Sequence, residues 1–179
     1  ISDFAEVENV FNKAAQIADG IEKIGLSIIR ENELTAVGIT LSDTEIYYIP
    51  VSGFVTENYL IERLLDVVSK ASHRNIASAN IKDYLDIFEK DTINGYPLVS
   101  EKAFIDTAIA AYLLHPSNES YDYETLGREF LSLTYPSKTE LLGKLSIEKA
   151  AAEAEDNLIK YACLSSYAYY KCADKITEQ

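Results

Sequence analysis

The sequence predicts an α/β fold, in which a mixed β-sheet made of an antiparallel meander plus a parallel strand is flanked by helices. Residues 24–51 hold three runs rich in β-branched and aromatic residues, with short polar breaks between them. Such runs are typical of consecutive antiparallel strands. A helical stretch and a further short β-run follow, and a strand reached through a helical crossover can join the same sheet in parallel. The remaining chain has mostly helical periodicity, which suits helices that cover a sheet.

The first half of the chain alternates between helical and β patterns. Apolar residues from Phe4 to Ile17 recur at helical spacing, and Gly20 ends that pattern. The hydroxyl of Thr56 can cap the helix that follows the meander. The predicted elements are a lead-in helix in residues 1–20, the β-meander in 24–51, a helix from Thr56 to about Lys70, a short strand in 75–79 and a short helix in 80–88.

The second half, residues 56–179, is predicted to be mainly helical with one or more further strands. Asn94-Gly95 marks a turn, and Phe104 and Ile105 are predicted to be buried. The later predicted elements are an apolar helix capped by Asp106 or Thr107 that ends at His115-Pro116, a helix capped by Asp122, a loose connection in 136–145, and one long helix from Ser146 to about Ile176.

We interpret residues 1–179 as a single domain, because no repeat, low-complexity tract or interdomain linker interrupts them. The chain begins at Ile1 and contains no methionine, so we expect it to be a fragment of a longer chain. Cys163 and Cys172 lie nine positions apart in a helical pattern, hence on opposite faces, and are not expected to pair. Reduced thiols favour a cytoplasmic protein.

The charge of the chain argues against DNA binding by this piece alone. Its 29 acidic residues outnumber 16 lysines and arginines, which gives a net charge of −13. Proteins that bind nucleic acid by themselves present clustered basic residues, and no such cluster is visible here. No apolar run approaches the roughly 18 residues of a membrane span, and the polar N-terminus does not resemble a signal peptide. We therefore expect weak or no DNA binding and no membrane partner.

The sequence lacks the common motifs of phosphate binding and metal binding by cysteine or histidine. No G-x-x-x-x-G-K-[ST] loop or H-E-x-x-H pattern is present. Carboxylates remain as candidate functional groups. Nucleases that work with two divalent ions hold them with several acids, because magnesium prefers oxygen ligands. The acids that would do this in a sheet-based nuclease come from its strands and from the facing helix.

One family resemblance bears on these acids. The segment AFIDTAIAAYLLHP at residues 103–116, then YDYETLGREFL and a long helix with Tyr161, resembles the 3′–5′ exonuclease domain of bacterial DNA polymerase I, a family A DNA polymerase. The resemblance covers roughly residues 24–179 and implies a ribonuclease H-like fold. It also implies a polymerase domain in the same chain that performs template-directed DNA synthesis in replication and repair, with Mg²⁺ as the cofactor of that parent polymerase.

In that family three motifs bind the catalytic metal ions: D-x-E on the first strand, N-x-x-x-D, and Y-x-x-x-D in the last helix. None of the acids is present at the matching positions of this chain. The degenerate positions are Gly25 and Ser27, within a residue or two, Tyr84 and Ser165, and the retained motif residues are Asn80 and Tyr161. The resemblance thus implies a domain with no catalytic residues, no bound metal and no cofactor, kept as a scaffold for the polymerase domain. DNA would then be contacted only through the parent polymerase.

Two alternatives remain open from the sequence. The first is an active metal-dependent 3′–5′ exonuclease with relocated carboxylates, for which Glu31, Glu33 and Asp83 are the candidates. The second is a stand-alone module whose acidic surface binds a basic protein. Asp106, which matches an acid of the family, is interpreted as a helix cap, and Tyr161 as a packing residue in the absence of metal ligands.

Overall fold

The structure is a computed structural model that describes residues 1–88 and 102–178, and also the backbone of two short strands between them. The predicted turn at Asn94-Gly95 lies outside the described residues. The helices and strands are, in chain order, α1 Phe4–Ala18, β1 Ile24–Arg30, β2 Leu34–Ser42, β3 Glu45–Pro50, α2 Glu57–Lys70, β4 Ile76–Ser78, a 3₁₀ helix Ile81–Tyr84, α3 Leu85–Phe88, β5 Thr92–Ile93, β6 Tyr96–Pro97, β7 Phe104–Asp106, α4 Thr107–Leu114, α5 Tyr123–Leu131, α6 Lys138–Leu142, α7 Ile147–Glu153 and α8 Glu155–Thr177.

The main sheet confirms the predicted fold class. Its five strands lie in the order β3-β2-β1-β4-β7. Strands β1, β2 and β3 form the predicted antiparallel meander, and β4 pairs in parallel with β1 after the crossover through α2. Strand β7 pairs in parallel with β4 and closes one side of the sheet. Phe104 and Ile105, which were expected to be buried, are only half-buried because β7 is an edge strand.

The two faces of β1 separate two hydrophobic cores, because side chains alternate along a strand. Ile24, Leu26 and Ile28 pack with buried side chains of α1 and α2. Gly25, Ser27 and Ile29 point the other way, and Ile29 packs with residues of α7 and α8. Every residue of β1 except the last is buried, which explains why its sequence is a nearly continuous apolar run.

Helix α8 lies directly on the sheet because two glycines remove the side chains beneath it. A Cβ atom at Gly25 would lie 2.1 Å from the carbonyl oxygen of Ser166, and one at Gly38 would lie 2.4 Å from that of Ala162. Real Cβ atoms do not approach a carbonyl oxygen so closely, so any larger residue would push the helix away. The distance between α8 and the sheet is therefore set by Gly25 and Gly38.

Helix caps follow local sequence signals. Thr56 accepts a hydrogen bond from Tyr59 N, and Asp106 accepts from Ala108 N and Ile109 N. Asp122 occupies the predicted cap position of α5, but its side chain makes no cap hydrogen bond there. The Asp122 carboxylate instead accepts a hydrogen bond from Ser120 Oγ at 2.7 Å.

The C-terminal third differs from the sequence prediction in two places. The predicted loose connection contains helix α6, which begins at a capping box formed by Ser137 and Glu140. The predicted long helix is two helices, because the chain leaves helical geometry at Ala154, with φ −141° and ψ 43°. Alanine favours helix, so nothing in the local composition marks this break.

A buried asparagine joins the beginning of the chain to β4. Asn75 is fully buried, and its Nδ2 lies within 3.2 Å of the carbonyl oxygens of Ala18, Gly20 and Glu22. The backbone carbonyl oxygen of Asn75 accepts a hydrogen bond from Ile24 N at 2.8 Å. The connection between α1 and β1 is thus held by a residue 50 positions or more away in the chain.

Two expectations about the chemistry of the chain can also be compared with the structure. Both cysteines are free thiols, as their helical spacing predicted. In the described part of the chain, no helix combines the length and the apolar character needed to cross a membrane.

The glycine contacts lead to a stability prediction. Gly38→Ala places a methyl group against the backbone of α8, and the strain should lower the free energy of unfolding by about 2 to 3 kcal/mol in urea denaturation. Gly20→Ala is the matched control, because a Cβ there meets only Ile17 O at 3.4 Å. A loss of less than about 0.5 kcal/mol for Gly38→Ala, similar to that of the control, would contradict the close packing of α8 on the sheet.

Candidate functional site

A cleft of about 210 Å³ lies beside the carboxyl ends of β1 and β4, where α5, α6 and α8 meet the sheet. In open α/β sheets the carboxyl ends of parallel strands commonly hold binding sites. Hydroxyl groups dominate the walls of this cleft. The hydroxyl-bearing residues that line it are Ser27, Ser78, Tyr84, Tyr121, Tyr123, Thr139, Tyr161 and Tyr169.

At the base of the cleft two serine hydroxyls face each other. Ser165 Oγ on α8 lies 2.7 Å from Ser27 Oγ on β1, and both residues are buried. The Ser165 hydroxyl also lies 2.7 Å from the carbonyl oxygen of Tyr161, one helical turn back. The pair is therefore neutral and hydrogen bonded within the protein. The first and third degenerate motifs of the sequence meet here in space.

The side chains of β1 differ in their access to the cleft. Ser27 lines the cleft, whereas Gly25 lies beneath the backbone of Ser166 with no room for a side chain. The next residue on the same face of β1 is Ile29, which is 1% exposed and packs in the second core cluster. Of Gly25 and Ser27, the positions predicted for the D-x-E pair, only Ser27 therefore presents a side chain to the cleft.

The second motif lies in the 3₁₀ helix after β4. Asn80 stands before this helix in the left-handed conformation, with φ 53° and ψ 43°, which asparagine tolerates better than most residues. Tyr84, at the position of the missing acid, lines the cleft with Asn80. Desolvation by burial raises the pKa of the Tyr84 hydroxyl. A neutral phenol therefore occupies this wall.

Arg30 holds the 3₁₀ helix and α3 against the end of β1. Its guanidinium donates two hydrogen bonds to the Asp86 carboxylate, at 2.7 and 2.9 Å, and a third to the carbonyl oxygen of Asp83 at 3.1 Å. Its Cζ also lies 5.9 Å from the centre of the Tyr84 ring. Such bidentate geometry fixes orientation as well as distance. Arg30 is thus a positioning residue that the sequence analysis missed, because nothing in the local sequence links it to Asp86.

The third motif contributes an aromatic wall. The centroids of the Tyr161 and Tyr123 rings lie 5.7 Å apart. Lys138 Nζ lies 5.5 Å from the centroid of the Tyr161 ring. Burial raises the pKa of the Tyr161 hydroxyl. Tyr123 donates a hydrogen bond to the carbonyl oxygen of Pro136. Tyr161 is thus packed within the cleft, as the sequence analysis expected in the absence of metal ligands.

One oxygen of the Glu124 carboxylate, in the wall of the cleft, has no hydrogen-bond partner among the described residues. Glu124 Oε2 is buried and unpaired, and desolvation raises the pKa of its carboxyl, with further contributions from Asp122 and Glu140. Glu124 and Lys138 lie on α5 and α6, and the sequence analysis did not predict either as a cleft residue. The capping box at Ser137 is the signal that could have revealed α6 and hence Lys138.

The relocated acids of the alternative hypothesis have other roles. Glu31 Oε2 accepts a hydrogen bond from Ile147 N at 2.9 Å, at the start of α7. In return, Glu148 Oε1 accepts one from Asn32 N at 3.2 Å. Glu31, Glu33 and Asp83 are all exposed. Across residues 1–88 and 102–178 the structure brings no three histidine, cysteine, aspartate or glutamate side chains together as a metal site would need.

The residues at the motif positions do not fit a pair of divalent ions. Magnesium takes hard, preferably anionic oxygen ligands. Ser27 and Ser165 offer neutral hydroxyls that already bond to each other, and Tyr84 offers a phenol whose raised pKa keeps it protonated. The donor set that the exonuclease family uses is therefore not reproduced in this cleft.

Comparison with known proteins supports the fold. The chain is similar to the crystal structure of the Aedes aegypti Nibbler EXO domain, with a TM-score of 0.61 over 96% of this chain and 84% of that chain. The sequences are 13% identical, so the likeness concerns the fold, an α/β exonuclease-like architecture of the ribonuclease H type. No protein-family model and no curated protein sequence matches the chain.

The Arg30–Asp86 contact gives a prediction with a direct readout. The guanidinium lowers the pKa of the Asp86 carboxyl below its ordinary value of 3.8. In Arg30→Gln, the pKa of Asp86 measured by carboxyl ¹³C NMR should therefore return towards that value. The pair stabilises the fold above the unfolded-state pKa and stops doing so as pH falls through the lowered folded-state pKa.

Because the Asp86 side chain is 66% exposed, the contribution of this pair to stability is small, below about 1 kcal/mol. Arg63→Gln is the control, since Arg63 pairs with Asp66 and not with Asp86. If the Asp86 pKa were the same in the wild type and in Arg30→Gln, the bidentate contact would not exist in solution.

Proposed function

We infer that this chain is the exonuclease-like domain of a bacterial DNA polymerase I that has lost 3′–5′ cleavage. Its role would be that of a scaffold beside the polymerase domain of the same chain, which carries out template-directed DNA synthesis in replication and repair in the cytoplasm. The observation that carries this proposal is the hydrogen bond of 2.7 Å between Ser165 Oγ and Ser27 Oγ. By the family resemblance, Ser27 and Ser165 stand at positions of the first and third metal-binding motifs, so this contact between two neutral side chains supports the loss of the metal site.

Several features support the loss of cleavage. Two magnesium ions need several anionic ligands to activate water and to neutralise the leaving oxygen. Ser27 and Tyr84 line the cleft, Ser165 lies buried against Ser27, and the described residues contain no group of three possible metal ligands. The domain itself would then use no cofactor, and the Mg²⁺ of the enzyme would belong to the polymerase domain.

The charge of the chain supports a scaffold more than a DNA-binding role. The net charge is −13, and the cleft wall carries Asp122 and Glu124 beside a single lysine, Lys138. A phosphate backbone would meet repulsion there. DNA would accordingly be held by the parent polymerase, with weak or no binding by this domain.

A nuclease assay tests the proposal. Incubation of the chain with 3′-labelled single-stranded DNA and Mg²⁺ or Mn²⁺ should leave the DNA at full length. Metal-dependent shortening that disappears in Glu31→Ala would overturn the proposal in favour of the nuclease with relocated carboxylates. Glu33→Ala and Asp83→Ala would then show whether the other two candidates take part.

A designed variant tests whether the two serines stand at ligand positions. Ser27→Asp combined with Ser165→Asp should lower the melting temperature without metal, because two buried carboxylates repel each other. Mn²⁺ at about 100 times its dissociation constant should restore about 2.7 kcal/mol of stability, or roughly 5 to 10 °C in a domain of this size.

The control for this variant is Ser27→Asn combined with Ser165→Asn, which has nearly the same shape without charge. Mn²⁺ should not change its melting temperature. Equal responses of the two double variants to Mn²⁺ would show that Ser27 and Ser165 do not occupy ligand positions, and the main support for the proposal would be lost.

The scaffold role has its own measurement. The parent polymerase should melt at a lower temperature without residues 1–179 than with them, because the domain would remove apolar surface of the polymerase domain from water. Identical melting temperatures would remove this role while leaving the loss of cleavage untouched.

A further inference from the structure

A second concave surface lies away from the cleft. It is a groove of about 570 Å³ between β7, α4 and the C-terminal end of α8, and it shares no lining residue with the cleft. The inference below concerns this groove alone and does not depend on the proposed function. Its lining is mostly apolar, with basic side chains at one end. The residues that matter for the argument are Lys23, Arg74, Phe104, Ile109 and Leu113.

One wall of the groove is an exposed apolar face of α4. Ile109 is 57% exposed, Tyr112 52% and Leu113 73%. Ile109 and Leu113 lie four residues apart on one face of the helix and both line the groove, whereas Tyr112 lies outside it, so the exposed patch in the groove is formed by Ile109 and Leu113. Contiguous exposed apolar patches of this kind mark interaction sites in folded proteins.

The edge of the sheet runs alongside this face. Ile76 N donates a hydrogen bond to Ala103 O, so the alternation of the backbone turns the N–H and C=O groups of Phe104 and Asp106 away from β4. Within the described residues, no strand pairs with this outer edge. An unpaired strand edge next to an apolar patch is suited to the addition of an extended peptide.

The basic end of the groove sets the charge of its ligand. Arg74 is exposed and takes the left-handed conformation, with φ 50°, and its N–H donates to Lys102 O at 2.6 Å. Among the described residues, its guanidinium makes no hydrogen bond or ion pair. Lys23, at the same end, reaches Asp174 at 4.0 Å. Residues other than glycine that are held in the left-handed conformation, as Arg74 is, often lie at functional sites.

The acid in the groove does not neutralise Arg74. The Asp106 carboxylate accepts hydrogen bonds from the backbone N–H groups of Ile81, Ala108 and Ile109, at distances between 2.9 and 3.2 Å. The carboxylate thus caps α4 and binds backbone N–H groups of the domain itself, not the guanidinium of Arg74. A basic end therefore remains for a ligand, on a chain whose net charge is −13.

We propose that this groove docks an extended, acidic peptide segment of a partner protein. The segment adds to the outer edge of β7, places apolar side chains against Ile109 and Leu113, and places a carboxylate on Arg74. Main-chain hydrogen bonds to a sheet edge supply affinity, and the side-chain contacts supply specificity. A second copy of this chain is a poorer occupant, because it would bring a net charge of −13 against the same charge on the first copy, whereas a short peptide brings only the few carboxylates that face the basic end.

A phage-displayed library of random dodecapeptides, selected on the chain of residues 1–179, tests the proposal. The enriched peptides should combine β-branched residues with aspartate or glutamate. Synthetic, fluorescein-labelled copies of them should bind in fluorescence anisotropy, and replacing their acidic residues by lysine should weaken binding at least about tenfold. Arg74→Glu and Leu113→Asp should each weaken the binding of the unchanged peptides by a similar factor.

Two matched controls separate the groove from general effects of charge and hydrophobicity. Lys149→Glu makes the same change of charge on α7, and Phe54→Ser removes an apolar side chain that is 87% exposed outside the groove. Neither should change the affinity. The proposal is overturned by enrichment of peptides without acidic residues, by no enrichment, or by binding that Arg74→Glu and Leu113→Asp leave unchanged. A dimer in sedimentation equilibrium that Leu113→Asp dissociates would assign the groove to a second copy and overturn it as well.

Discussion

The contact of α8 with the bare backbone of β1 and β2 is the constraint on which the rest of this structure depends. Gly25 and Gly38 let the helix lie so close that its own carbonyl oxygens take the space of their missing side chains. This closeness brings Ser165 within hydrogen-bond distance of Ser27 and buries Thr40 Oγ1 against Ser166 Oγ at 2.9 Å. A helix displaced by the width of a methyl group would make neither contact. The geometry of the cleft is therefore decided by backbone packing, not by the cleft residues themselves.

The same packing explains how the cleft keeps its shape with uncharged residues at its base. Two carboxylates at the positions of Ser27 and Ser165 would repel each other unless a cation lay between them. Two neutral hydroxyls need no cation, because one hydrogen bond joins them and the nearby carbonyl oxygen of Tyr161 can accept the second proton. Around them, Arg30 binds Asp86 and Tyr161 packs with Tyr123, so the walls are held by contacts outside the serine pair.

The sequence predicted those parts of the fold whose signals are local and periodic. The meander follows from alternating β-branched runs, and the caps at Thr56 and Asp106 follow from side chains that can bond to nearby N–H groups. The break at Ala154 had no such signal, and three-residue β7 is too short to show a period. The partners of Arg30 and of Glu31 lie 56 and 116 positions away, and only the folded chain reveals them. The motif residues could be predicted as site residues only through the family resemblance. Glu124 and Lys138 could not, because they lie on α5 and α6, which carry none of the three motifs.

Asn75 gives the folding of this domain a particular order. Its side-chain amide donates to the carbonyl groups at and just after the end of α1, yet Asn75 directly precedes β4, which follows the meander and the α2 crossover in the chain. The end of α1 therefore stays without its hydrogen-bond donor until a loop of more than 50 residues has closed, and loop closure of this kind is slow compared with helix formation. We therefore expect opening of β4 to expose the end of α1 as well, so that the two segments exchange their amide protons together.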